Sequence, residues 1–229
     1  MANEHAGHRQ RLKNRFAVSG LDDFEPHNIL ELLLFYTIPQ RDTNPIAHRL
    51  MNRFGSFSAV LDARVEDLME VEGMGRSSAE YLTMFSQVAR KYLEDKAEIV
   101  NSATGTTDIG GLFLTKYVGV TDEQVMIATF DNKNKLINCK TIFKGDIVKS
   151  TVPKRKVVEE AIATKAARVV LAHNHPSGLL IPSPEDMATT MDIGDLLEQI
   201  DVELVDHIIV GHDDYVSMAA SGYKLKRKD

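Results

Sequence analysis

Up to about position 98 the apolar residues recur at helical spacing. "NILELLLFY" (28–36) and "NPIAHRLMNRF" (44–54) each place them three and four apart, and "RSSAEYLTMFSQVARKYLEDK" (76–96) continues the period for several turns. Short Gly, Pro and Asn-rich joints separate these runs. "NSATGTTDIGG" (101–111) breaks the pattern with small polar residues and glycines, as a linker or a helix entry does. Beyond it the texture changes. "EQVMIATFD" and "KLINCKTIF" are β-branched-rich runs joined by "NKNK", which reads as a hairpin. "VPKRKVVEEAIATKA" returns to helical spacing, "ARVVLAHNH" is a buried strand, "SPEDMATTMDIGDLLEQI" a helix, and "VELVDHIIVG" and "YVSMAA" are strands. The pattern predicts an all-helical domain over 1–100, a linker at 101–106, and an α/β or α+β sandwich over 107–229.

The strand at 167–175 ends in an unusual way. Residues two apart on a strand share a face, so His173 and His175 project together from the end of the apolar run "VVLA". Asp186 follows eleven positions later in the first turn of the next helix, with Pro176 and Gly178 able to turn the chain back. Two imidazoles, one carboxylate and an open position describe a catalytic zinc site. Capping alone accounts for part of the pattern: Ser183 is a helix cap, Pro184 fits the first helical position, and Asp186 completes a capping box. It leaves the paired histidines unexplained. The letters His173, Asn174, His175 spell HNH, but the nuclease motif of that name spreads its residues over a ββα unit. Asp206 and His207 are neighbours on a strand, so at most one of them can face the site.

Composition narrows the class. The chain has 229 residues, 43% of them apolar, enough for buried cores. The single cysteine, Cys139, excludes an internal disulfide and a cysteine-rich zinc module, and its apolar setting reads as a structural thiol. Net charge is −6, shared evenly: 12 basic against 15 acidic residues up to position 100, and 15 against 18 after it. No global basic field points to nucleic acid. The basic runs "HRQRLKNR" and "KLKRKD" read as solvated, frayed ends. The N-terminus lacks the apolar core of a signal peptide and no window approaches a membrane span, so the expected location is the cytoplasm, with no membrane partner.

His173-x-His175, seven residues, Ser183, two residues, Asp186 resembles the JAMM signature of the MPN/JAB metallopeptidases without a gap. "HNHPSG" and "PSPED", with "DHIIVG" downstream, resemble the RadC branch over about residues 107–223. The resemblance implies a cytidine-deaminase-like α/β fold and a Zn²⁺ ion held by His173, His175 and Asp186. It further implies Ser183 as donor to the oxyanion and an upstream glutamate at a strand start as proton shuttle. Glu123 has that placement, while Glu159 and Glu160 lie on the predicted helix between strands. One departure stands out: Leu179, Leu180 and Ile181 replace a usually polar stretch, so they either pack on the protein's own core or contact a substrate or a neighbouring subunit.

"LMEVEGMGRSSAEYL" (68–82) resembles the helix-hairpin-helix motif that precedes the JAB domain in RadC-like proteins. There Gly73 and Gly75 would let the backbone approach a DNA phosphate, and Arg76 would add charge. Glu72 and Glu80 oppose phosphate, and glycines join helices for duller reasons. Two functions follow. One is a zinc-dependent hydrolase of an amide or isopeptide bond in a protein or peptide, resting on Glu123 and Ser183. The other is a repair-associated DNA-binding or DNA-processing factor, resting on the hairpin and the basic ends. A homo-oligomer is left open.

Overall fold

The structure is a computed structural model that describes residues 4–104, 108–145 and 154–227. It divides into two compact units, Met1–Ala89 and Arg90–Asp229.

The first unit is helical, as the period-3.6 pattern predicts. It holds α1 (Glu4–Ser19), α2 (Pro26–Leu34), α3 (Asn44–Phe54), α4 (Phe57–Asp62), α5 (Val65–Met69) and the first half of α6 (Arg76–Thr104). Proline sits at the start of α2 and of α3, where a missing N–H costs nothing. Leu30, Leu34, Ile46, Leu50, Val60, Leu68 and Leu82 form the core. The buried Glu31 carboxylate is satisfied by His8 Nε2 at 2.8 Å and by the Asn44 amide at 3.1 Å. The basic N-terminal run is not loose: Arg9 donates to the carbonyls of Ile38 and Arg41 at 2.8 and 2.7 Å, and its guanidinium lies over Phe35.

The expected linker needs correction. α6 runs through Thr104 and so occupies 101–104, while residues 105 and 106 lie outside the described residues. The division between units falls inside this helix, after Ala89. "NSAT" has no helix breaker, and its small polar residues read as loop only in isolation.

The second unit contains α7 (Ile109–Lys116), β1 (Gln124–Phe130), β2 (Leu136–Lys144), α8 (Lys154–Ala163), β3 (Arg168–Asn174), α9 (Pro184–Glu198), β4 (Glu203–Val210) and β5 (Tyr215–Ser217). The sheet order is β2-β1-β3-β4-β5, antiparallel except for the β3–β4 pair that α9 connects. Alternation sorts the strands. Val125, Ile127, Val169 and Leu171 pack with Val157 and Ala161 of α8 and with Ile193 and Leu197 of α9. Met126, Ala128, Val170, Ala172 and Ile208 face the other way, onto Phe113 of α7. This is the mixed α/β fold the pattern predicts, although β5 is three residues rather than the whole of "YVSMAA".

The basic C-terminal run also departs from a frayed end. Leu225 packs on the core, Lys226 pairs with Glu198 at 2.6 Å, and Arg227 pairs with Asp195 at 3.1 Å and with Asp192. Acidic residues along α9 therefore hold the tail. Among the described residues no helix is long and apolar enough to cross a membrane. Cys139 is half-buried, and burial pushes its thiol up to about 11, which suits an inert residue.

Candidate metal centre

His173 continues the Val169–Leu171 face of β3 past the end of the apolar core, so its ring is buried beside α9 rather than in solvent. β3 ends at Asn174, and the chain turns at Gly178, whose φ of +76 favours glycine. Leu180 packs over Gly211, and Ser183 then caps α9. Asp186 at the third position of that helix returns to the histidines. His173 Nε2 lies 2.9 Å from His175 Nε2 and 3.3 Å from Asp186 Oδ1, and His175 Nε2 lies 3.4 Å from Asp186 Oδ2.

The capping box is present in full. Ser183 Oγ accepts from the Asp186 N–H at 3.0 Å and donates to Asp186 Oδ2 at 2.7 Å, while the Ser183 N–H donates to the same oxygen at 2.8 Å. Capping and ligand geometry are thus not rivals, because one carboxylate serves both.

The other ring nitrogens have partners of their own. His175 Nδ1 donates to the Leu179 carbonyl at 2.6 Å, and His173 Nδ1 lies 2.8 Å from His207 Nε2. Both Nε2 atoms are left facing each other and the carboxylate. Three unprotonated acceptors that close repel, and a cation at their centre, a proton or a metal ion, removes the repulsion. The electrostatics agree. Burial works against charge on Asp186, but hydrogen bonds with His173, His175 and Ser183 outweigh it and hold the carboxyl far below the usual carboxylate range. The same hydrogen bond to Asp186 raises His175 against its burial, with a smaller push from the charge of Glu123. His173, His175 and Asp186 could therefore hold a metal ion, and among the described residues no fourth His, Cys, Asp or Glu joins their cluster.

Glu123 immediately precedes β1. Val125 is registered with His173, so Glu123, two residues back, lies on the same face as the histidines at that end of the sheet. Glu159 and Glu160 are elsewhere: Glu159 pairs with Arg155 on the outside of α8, and Glu160 is held by Asn138 at 2.8 Å and by Lys140. Leu179 and Ile181 remain exposed, at 57% and 62%, so only Leu180 of the apolar triplet packs inward.

Sequence reasoning gave Asn174 no role and left the choice between Asp206 and His207 open. Asn174 projects from the opposite face to the histidines. Its Oδ1 accepts from the Gln124 N–H at 2.8 Å and its amide donates to the Asp122 carbonyl at 3.1 Å, clamping the backbone on both sides of Glu123. Of the Asp206–His207 pair, His207 faces inward and is buried, and burial holds its pKa well below the ordinary imidazole value. Asp206 faces away and holds Ser217 and the Ala219 N–H. The single-face rule predicts one inward residue but does not say which one.

At the first unit's turn, Gly73 has φ +95, and a Cβ there would sit 2.9 Å from the Ile46 side chain. A Cβ at Gly75 would meet nothing within 4 Å, and Arg76 pairs with Glu80 at 2.8 Å. These three residues belong to the first unit and the histidine cluster to the second.

The RadC-like JAB domain family matches residues 103–223. A UPF0758 protein of Fusobacterium nucleatum is 30% identical, over 96% of this chain and 97% of its own length. UPF0758 proteins of Paraburkholderia xenovorans and Burkholderia thailandensis are each 33% identical over 94% of this chain, covering 83% and 80% of theirs.

Proposed function

The chain belongs to the RadC-like JAB domain family, and on that premise we propose that it is a zinc-dependent hydrolase of the JAMM type, acting on an amide or isopeptide bond of a protein or peptide. The observation that carries this reading is the convergence of two Nε2 atoms and one carboxylate, each histidine having its Nδ1 engaged elsewhere, with Glu123 on the same face. Two imidazoles and a carboxylate suit zinc. When bound, zinc would supply a Lewis acid that polarises a carbonyl and makes water acidic near neutral pH.

The chain's own residues do the rest. Asn174 holds the backbone around Glu123, whose carboxylate would take a proton from water and pass it to the leaving amine. The Ser183 hydroxyl is committed to Asp186 Oδ2 here, so to steady an oxyanion it has to rotate away from that oxygen. The Ser183 N–H stays on the carboxylate and keeps Asp186 oriented. Exposed Leu179 and Ile181 offer apolar surface to whatever approaches the histidines.

The test is an activity screen of wild type against Glu123→Gln on peptide and nucleic-acid libraries. Glu123→Gln should keep metal and fold and lose activity by a factor on the order of 10² to 10⁴. Peptide cleavage that is unchanged in this variant removes Glu123 from the mechanism. Cleavage confined to nucleic acid moves the domain to DNA processing.

A further inference from the structure

His173 is joined to α9 by a chain of hydrogen bonds that closes on itself. His173 Nδ1 lies 2.8 Å from His207 Nε2, His207 Nδ1 lies 2.6 Å from Thr190 Oγ1, and Thr190 Oγ1 lies 2.6 Å from the backbone carbonyl of Asp186. Asp186 is also the residue whose carboxylate meets His173 Nε2. All four side chains are buried, so water does not complete these bonds from outside.

The direction of the protons along this chain follows from its last member. A carbonyl only accepts, so an oxygen at 2.6 Å from it must place its one proton there. Thr190 Oγ1 then has only lone pairs to offer His207, and the proton of their contact belongs to His207 Nδ1. A neutral imidazole with its proton on Nδ1 accepts at Nε2, so the proton between the rings belongs to His173 Nδ1. The opposite direction would leave the Thr190 oxygen and the Asp186 carbonyl in contact with no proton between them. The nearby Met218 sulfur, 3.7 Å from Oγ1, is too weak an acceptor to take that proton instead.

We propose that Thr190 and His207 are positioning residues that act through His173: the one-way chain from the Asp186 carbonyl fixes the His173 proton on Nδ1 and presents the Nε2 lone pair to the metal. Asp186 thereby serves the site twice, its carboxylate as a ligand and its carbonyl as the fixed end of the chain that orients a second ligand. Without the chain the His173 ring is free to carry its proton on Nε2 and to face the cluster with a donor. The proposal rests on the metal reading above only for its consequence, since the tautomer itself is a property of the metal-free protein.

The experiment has two readouts, neither of which needs a substrate. Long-range ¹⁵N–¹H correlation on metal-free, ¹⁵N-labelled protein should show both His173 and His207 protonated at Nδ1. Zinc affinity, measured by competition with a chromophoric chelator, should fall by about 10- to 100-fold in Thr190→Val, the usual worth of a residue that orients a ligand. Thr190→Ser, which keeps the hydroxyl, should return it to within about threefold of wild type, which a loss of packing would not do. A His173 ring with its proton on Nε2 and none on Nδ1 in the wild-type protein overturns the proposal whatever the variants do, and so does equal zinc affinity in Thr190→Val and wild type. If the wild type takes up no zinc, the hydrolase reading falls, and the nitrogen spectra still decide the chain.

Discussion

Two helix starts, one in each unit, invite the same suspicion from sequence and differ in what the fold leaves over. At the start of α6 the residues Gly73, Gly75 and Arg76 resemble a phosphate-binding turn. Two of the three are accounted for locally: Gly73 has a left-handed φ and no room for a Cβ beside Ile46, and Arg76 is paired along its own helix. At the start of α9, capping explains Ser183 and Asp186 just as fully, yet the same carboxylate also meets two imidazoles at 3.3 and 3.4 Å. What distinguishes the second turn is a crowd of acceptors beyond what the fold requires. A turn residue is evidence of function when its polar atoms remain in excess after packing and capping have been satisfied.

The strongest way to break this contrast is to remove a ligand. Asp186→Ala or His173→Ala should lose most of the metal, a cost of several kcal/mol in affinity that far exceeds a capping loss of about 1 kcal/mol. Gly73→Ala should leave metal content untouched. Elemental analysis of the purified variants checks both, and equal metal in all three would erase the difference between the turns.

The glycine has its own expected effect. Gly73→Ala combines a strained φ with a contact against Ile46 and should cost about 1–3 kcal/mol of stability, whereas Gly75→Ala should change it by less than about 0.5 kcal/mol. Thermal unfolding of the pair reads this directly. Equal melting temperatures would mean that Gly73 is not held by packing, and a ligand-binding role would regain its case.

Acid should weaken metal binding at the α9 site. His175 has its pKa raised above the ordinary imidazole value by Asp186, so in the metal-free protein a proton occupies the ring over a wider range of pH. A metal must displace that proton, so apparent zinc affinity should weaken as pH falls through the raised pKa, by about tenfold per pH unit for one proton. Chelator competition across about pH 8 to 6 measures the slope, and a flat profile would mean that His175 is not a ligand.

The smallest effect is expected at Arg76. Its pair with Glu80 is exposed, and Arg76→Ala should shift stability by less than about 0.5 kcal/mol. Duplex-DNA binding that falls steeply with salt, and that Arg76→Glu abolishes, would return the first turn to the nucleic-acid reading.

Much of this was legible along the chain. Periodicity separates the helical half from the α/β half because helix and strand bury alternate residues with different periods, and a histidine pair at the end of a buried run stands out against that rule. Strand alternation marks His173 and His175, while Asp186 fits a helix cap as well as a ligand and joins them through the resemblance to the JAMM signature. α6 runs into the expected linker as far as Thr104 because "NSAT" carries no strong preference for helix or loop. The basic ends were misread for a related reason: their acidic and carbonyl partners lie far away in sequence, Arg227 reaching Asp195 and Arg9 reaching Ile38. Tertiary structure alone decided that His207 rather than Asp206 turns inward, that Asn174 grips the chain around Glu123, and that Thr190 closes a ring on Asp186. Apart from the short bond from Thr190 to the Asp186 carbonyl inside α9, these contacts join different strands, as His173 to His207 and Asn174 to Gln124, or a strand and a helix, as His207 to Thr190. Hydrogen bonds act over about 3 Å in space and carry no memory of sequence distance, so local pattern names candidate ligands and only the packed fold shows which groups they touch.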